Sequence, residues 1–313
     1  MKKFISILGS TGSVGKSALS IIDKKKNYFI PYIFSANKNY KLICEQLKKY
    51  RPQIFIINDH DTYQKVIKKF RNNKTKILNN FNLLKVKKNS NITIAAIPGI
   101  AGLQPTIHMI KVSDKILLAN KESIICGWNL IKKTAFKYNT KIIPIDSEHF
   151  SIFQLLKDHK LNEIKKIYIT ASGGPFLNYK KHQFAKIKPS DALKHPKWKM
   201  GKKISIDSST LMNKMLEFVE AQKLFNIPNS KLEIIIHPDS LVHAIAVFHN
   251  GLTKFIYHET TMIIPLANAI FENKLEIKNF YKGNTKKIIK NLSFQVVNSI
   301  TFPIIKIINR INK

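Results

Sequence analysis

Two carboxylates stand one residue apart in the stretch "IIPIDSEHF", residues 142–150. An apolar run ends there, and Asp146, Glu148 and His149 follow at once, in a chain with 19 acidic residues against 53 basic ones. A turn after a strand accounts for Asp and Ser by propensity alone. Further along, "SIDSSTLMNKMLEFVE" (205–220) reads as part of a helix over 207–225, with Ser208, Ser209 or Thr210 as its N-cap. On that helix Asn213 and Glu217 are four residues apart and share a face, with Lys214 the next position round. Leu211, Met215 and Phe218 offer packing surface. A carboxylate, an amide and a cation can thus line one edge of a cleft, close to a helix N-terminus suited to phosphate. An ordinary amphipathic helix carries the same pattern. "TASGGPF" (170–176) adds Ser172-Gly173-Gly174, a backbone-rich loop able to approach an anion. "HPKWKMG" (195–201), with His195, Trp198 and Met200, has the character of a lid.

A second kind of chemistry lies at the N-terminus. "ILGSTGSVGKSAL" places Gly9, Gly12 and Gly15 between a first strand and a helix. Such glycines allow a tight turn, close approach of backbone to a pyrophosphate, and close helix–sheet packing. Gly15-Lys16-Ser17 matches the end of a nucleoside-triphosphate loop, but the first glycine of that motif is not at the required distance. The second strand ends "FSANKN" (34–39). It has no acid to accept from a ribose 2′-hydroxyl, and Lys38 can pair with a 2′-phosphate, so NADP is expected over NAD.

These residues must be held by larger elements. In the first half, strands at 4–8, 29–36, 54–58, 92–97, 116–120 and 141–146 alternate with helices near 15–26, 40–50, 62–71, 102–112 and 127–138. That alternation predicts a doubly wound parallel sheet. After residue 150 the pattern changes: strands at 167–170, 232–238 and 243–250 form a second sheet, with helices near 207–225 and 260–272. The length of 313 residues fits two domains. The net charge of +34 is carried almost wholly by lysine, since only Arg51, Arg71 and Arg310 are arginines. The lysines are spread along the chain beside Asn and Ile, which points to AT-rich codons rather than to a specific nucleic-acid surface. Cys44 and Cys126 form no metal spacing and fit a reducing compartment. No window approaches the length of a membrane span, and a cytoplasmic location is expected.

Six motifs, "GSTGSVG", "LLANKES", "DSEH", "SGGPF", "HPKWKMGKKISIDSSTLMNK" followed by Glu217, and "IHPDSLVH", occur in order over roughly residues 1–250. Together they resemble the 1-deoxy-D-xylulose 5-phosphate reductoisomerase family. The resemblance implies an N-terminal Rossmann-like NADP domain (1–146), an α+β catalytic and dimerisation domain (147–272), and a linker with the remnant of a C-terminal helical domain (273–313) that is largely missing, with "FPIIKII" (302–308) as its first helix. It implies that Asp146, Glu148 and Glu217 bind Mg²⁺ or Mn²⁺. On the strand expected through 141–146 and beyond, positions 146 and 148 point the same way, as chelation needs, and His149 faces elsewhere. By the same resemblance Thr11, Gly12, Ser13 and Val14 contact the cofactor phosphates, Lys38 and Asn39 the adenosine end, and Asn120, Glu122 and Gly201 the rest of NADPH. Lys121, Ser147 and Glu148 contact substrate. Ser172, Ser208, Asn213 and Lys214 hold its phosphate, with His195 nearby. The implied reaction is a metal-dependent rearrangement and reduction of 1-deoxy-D-xylulose 5-phosphate to 2-C-methyl-D-erythritol 4-phosphate by a homodimer. A degenerate, shortened homologue that binds NADP(H) or other anions without turnover is the alternative. The chain departs from the family at Asn37, at Met215, where a side chain in place of Gly is expected to crowd the helix, and at "HETTMIIPLA" (258–267).

Overall fold

The computed structural model of the chain describes residues 2–85, 89–198, 201–283 and 292–310; Met200 lies outside them. The chain forms two compact units, residues 1–145 with 265–281, and residues 146–264 with 282–313.

The first unit carries β1 (Lys3–Leu8), α1 (Ser13–Lys24), β2 (Phe29–Ala36), α2 (Tyr40–Tyr50), β3 (Ile54–Ile57), α3 (His60–Lys69), β4 (Lys76–Leu78), β5 (Ser90–Ala95), α4 (Leu103–Ile110), β6 (Ser113–Leu118), α5 (Lys121–Lys137) and β7 (Lys141–Pro144). The strands make one parallel sheet in the order β4-β3-β2-β1-β5-β6-β7. In β1 both the alternate sets of side chains are buried at Ile5, Ser6, Ile7 and Leu8, so the strand is covered on both faces, as the parallel-sheet reading expects. The strand order reverses direction between β1 and β5. Their carboxyl ends therefore open a crevice where ligands of such folds bind.

The second unit carries α6 (Ser147–Leu156), β8 (Ile164–Ala171), α7 (Pro189–Ala192), α8 (Lys202–Ser209), α9 (Met212–Phe225), β9 (Leu232–Ile236), β10 (Val242–Phe248) and β11 (Thr253–Tyr257), and, after α10 (Ile263–Phe271), β12 (Gln295–Val296). Its sheet is mixed, in the order β11-β10-β8-β9-β12, with β8 parallel to β9 and antiparallel to β10. Ile152 and Leu155 of α6, Met215, Phe218 and Ala221 of α9, and the inward residues of the strands share one core with Phe302.

Four expectations change. First, the strand before the carboxylates stops at Pro144, and Ser147 opens a helix with Asp146 as its N-cap residue. Pro144 has no N–H with which to extend the ladder, and Asp is a favoured residue at this position. Second, the single helix over 207–225 is two helices, and Leu211, not Ser208, Ser209 or Thr210, precedes α9, at φ 62°. A left-handed non-glycine residue costs about 1–2 kcal/mol. Full burial of the Leu211 side chain returns about 1.5–3 kcal/mol, so the core wins over local preference. Met215 is likewise buried in that core. Third, α10 belongs almost entirely to the first unit, not to the 147–272 segment: Phe271 packs on Tyr28 and Phe29, and Glu272 meets Lys115 at 2.5 Å. Fourth, the helix expected to open a separate C-terminal domain is a 3₁₀ helix, Pro303–Arg310, that belongs to the second unit and follows Phe302 in its core.

Phe218 is fully buried on the helix that carries Asn213, Lys214 and Glu217. Phe218→Ala should cost about 3–5 kcal/mol, read as a lower urea midpoint for the second unit with little change in unfolding of the first.

Candidate functional site

In the first unit the glycine turn leaves β1 and enters α1 at Gly12, with Thr11 partly exposed and Gly12 and Ser13 exposed. A Cβ on Gly15 would lie 2.4 Å from the Gly9 carbonyl oxygen, so only glycine lets the helix approach the turn this closely. No side chain caps α1 at Gly12. The first-turn N–H groups, at Ser13 and Val14 among others, are therefore donors for an anion. At the end of β2, Lys38 is exposed, with its ammonium 4.0 Å from Asp59. Asp59 is committed elsewhere: it caps α3 by accepting from Thr62 N at 3.0 Å and Thr62 Oγ1 at 2.7 Å. Those two hydrogen bonds hold its carboxyl below the usual range. Asn39 caps α2 by accepting from Leu42 N. Asn120 is buried: its side chain caps α5 through Ser123 N at 2.7 Å and donates to the carbonyls of Gly99 and Ile97. Lys121 is buried and Glu122 half-buried in the first turn of α5. Gly201, grouped with these residues by the family resemblance, is the N-cap residue just before α8 in the second unit.

The second unit gathers the carboxylates. One ligand oxygen from each of Asp146, Glu148 and Glu217 lies within 4.8 Å of the others. The strand alternation expected to align 146 and 148 is not the cause. Asp146 precedes α6, Glu148 sits in its first turn, and α9 brings Glu217 across. Asp146 makes no side-chain capping bond to its own helix. Lys214 Nζ lies 2.6 Å from Glu148 Oε1 and 2.5 Å from Glu217 Oε2. Ser147 Oγ donates to Glu148 Oε2 and Asn213 Nδ2 to Glu217 Oε1, each at 2.5 Å. Burial works against the charge on Glu148, but Lys214 outweighs it, with Glu217 opposing, and the carboxyl is held below its ordinary range. Burial also works against the charge on Lys214, and the two glutamates outweigh that too, raising it above an ordinary lysine. Three hard oxygen donors held this close fit Mg²⁺ or Mn²⁺.

His149, expected to face away, lies directly against this cluster. Its Nε2 donates to the Glu217 carbonyl at 2.9 Å, and its Nδ1 is 3.4 Å from Glu220 Oε2. Sequence reasoning missed both its place and Glu220, although "DSEH" contained the signal. The anion-binding candidates also converge. His195 Nδ1 accepts from the backbone N–H of Trp198 at 2.9 Å and of Lys197 at 3.2 Å, so its proton belongs on Nε2, which donates to Ser172 Oγ at 3.0 Å. Ser172 Oγ also accepts from Gly174 N, which leaves its own hydroxyl hydrogen for a further acceptor. Gly174 lies so close to Ser208 that a Cβ there would be 2.8 Å from the Ser208 carbonyl oxygen. Burial, then the Lys214 charge, depresses the pKa of His195 and favours the neutral ring. The altered segment at 258 supplies His258, which stacks on His243 at 3.8 Å between ring centroids and accepts from its Nε2 through the backbone carbonyl.

Two family models match the chain. One, described as 1-deoxy-D-xylulose 5-phosphate reductoisomerase, covers residues 5–127, and its C-terminal-domain counterpart covers 142–225. A protein of that name from Pelagibacter ubique (strain HTCC1062) is 48% identical, over 100% of this chain and 81% of that protein. The chain belongs to the 1-deoxy-D-xylulose 5-phosphate reductoisomerase family. Another reductoisomerase, from Clostridium novyi (strain NT), is 39% identical over 96% of the chain and 77% of its own length. Among solved structures, a reductoisomerase crystallised with NADPH, fosmidomycin and magnesium superposes with a TM-score of 0.90 at 31% identity, covering 98% of this chain and 79% of that one. The Zymomonas mobilis reductoisomerase in complex with NADPH gives 0.87 at 29% identity, over 99% and 81% of the two chains.

Burial lowers the pKa of His243 to about 4 and of His258 to about 3. Imidazoles of the unfolded chain take up protons from about pH 6.5 downward. In that window the unfolded state binds more protons, so stability should fall as pH drops from about 6.5 toward 4, by roughly 1.4 kcal/mol per pH unit for each ring. In urea titrations across this range, His258→Phe should remove about half of that slope.

Proposed function

We infer that this reductoisomerase family member converts 1-deoxy-D-xylulose 5-phosphate to 2-C-methyl-D-erythritol 4-phosphate, using NADPH and Mg²⁺ or Mn²⁺. The observation that carries the reading is the convergence of Asp146, Glu148 and Glu217 in the same unit as the Ser172–His195 pair and Lys214. That complete set favours turnover over a role confined to binding NADP(H).

A divalent ion held by Asp146, Glu148 and Glu217 would supply Lewis-acid polarisation of neighbouring substrate oxygens, and NADPH would supply hydride. The chain's own groups do the rest. Ser147 and Asn213 each donate to one carboxylate and fix the direction of its oxygens. Ser172, Ser208, Asn213 and Lys214, with His195 orienting Ser172, are the proposed phosphate holders. Binding there, away from the reacting carbons, orients the substrate. Lys121 is assigned to the reacting part of the substrate, Ser147 and Glu148 to further substrate contacts, and Trp198 to the closing loop. Thr11, Gly12, Ser13 and Val14 offer the first turn of α1 to the cofactor phosphates. Lys38 and Asn39 are assigned to the adenosine end, and Asn120, Glu122 and Gly201 to the remainder of the cofactor. The second unit is the proposed catalytic and dimerisation domain, and a cytoplasmic homodimer is the proposed working form. No described helix is long and apolar enough to cross a membrane.

The test is NADPH oxidation on adding 1-deoxy-D-xylulose 5-phosphate with Mn²⁺. Glu217→Gln should retain the fold by circular dichroism and lose about 10²-fold or more in kcat; undiminished activity would overturn the metal assignment. NADPH should bind more tightly than NADH by fluorescence titration, and Lys38→Ala should narrow that preference. Equal affinities in the unaltered protein would remove Lys38 from the cofactor site.

A further inference from the structure

Lys214 stands where a bound cation would be expected among the carboxylates. It is 5% exposed, and its ammonium contacts Glu148 and Glu217 at 2.6 Å and 2.5 Å. Asp146 completes the same cluster. The three clustered carboxylates carry three formal negative charges, two of them in contact with the ammonium, and a divalent ion coordinated by the same oxygens leaves one. A buried ammonium cannot simply be left unpaired. The same unit holds a group suited to an anion at Ser172, whose Oγ is bonded to His195 Nε2 and to Gly174 N and keeps its own hydroxyl hydrogen to donate, with Ser208 packed against Gly174; the Lys214 charge also acts on His195.

We propose that Lys214 is an exchangeable internal cation. It neutralises Glu148 and Glu217 when no metal holds them, and a divalent metal releases its ammonium to an oxyanion at Ser172 and Ser208. Metal and phosphate then bind with positive coupling, each tightening the other by one shared factor. The idea rests on the metal and phosphate reading above and adds a direction of linkage to it. It also separates an exchange of partners from simple attraction between a metal and an anion. Attraction through space persists without the lysine side chain, whereas exchange does not.

The experiment is Mn²⁺ titration followed by electron paramagnetic resonance, with and without saturating inorganic phosphate. It uses the unaltered protein, Lys214→Met, Lys214→Gln and Glu217→Gln, with folding checked by circular dichroism. In the unaltered protein phosphate should tighten Mn²⁺ about tenfold, a typical size for coupling between sites, and Mn²⁺ should tighten phosphate by the same factor. Lys214→Met, or Lys214→Gln if the first variant does not fold, should bind Mn²⁺ several-fold more tightly than the unaltered protein without phosphate, because the competing ammonium is gone. Phosphate should then leave that affinity unchanged. Weaker Mn²⁺ binding by a folded Lys214 variant, coupling that survives in it, or no coupling in the unaltered protein would each overturn the exchange. Mn²⁺ binding that Glu217→Gln leaves intact would instead overturn the metal reading, and the exchange with it. Tight Glu217-dependent binding without coupling defeats the exchange alone.

Discussion

The contact on which the second unit turns is the ammonium of Lys214 between Glu148 and Glu217. Like charges this close repel, and burial adds a desolvation cost to each. The cluster persists because Lys214 answers two of the carboxylates, and Ser147 and Asn213 each satisfy a further oxygen. Removing one partner of such a buried pair typically costs about 3–5 kcal/mol, a large share of a protein's margin. The geometry is expensive to hold and is useful for that reason: a concentrated negative site is what a hard divalent cation selects.

The scaffold is organised around that constraint. Helix α9 presents Asn213, Lys214 and Glu217 toward the cluster and buries Met215 and Phe218 in the core. Leu211, just before α9, is driven into the core at the expense of a left-handed backbone. His149 ties α6 to α9 through the Glu217 carbonyl, so the two helices that supply the carboxylates are hydrogen-bonded to each other at the site itself. The first unit solves the opposite problem. It leaves helix donors open at Gly12, where a side-chain cap would have satisfied them.

Much was legible in the sequence. The alternation of strands and helices before residue 146, the glycine turn after β1 and the Asn213–Glu217 face each rest on local periodicity or on a backbone requirement, and these are carried by neighbouring residues. The identities of Asp146, Glu148 and Glu217 as a set were legible only through motifs in order, since nothing local joins residue 148 to residue 217. The short strands β4, β11 and β12 were not legible: they have 3, 5 and 2 residues, and β11 and β12 are largely exposed, so no alternating pattern marks them.

The tertiary structure decided the rest, and for a common reason. Where the strand before "IDSEHF" stopped was set by Pro144 at the junction, and the helix that follows is held by packing of Phe150, Ile152 and Leu155. Whether residues 207–225 formed one helix or two depended on burial of Leu211. The return of α10 to the first unit depended on aromatic partners at Tyr28 and Phe29, more than two hundred residues earlier. Sequence by itself determined which residue types were available and the local periods they favour. Only long-range burial, worth more per side chain than the local preferences it overrode, determined which carboxylates met and which lysine lay between them.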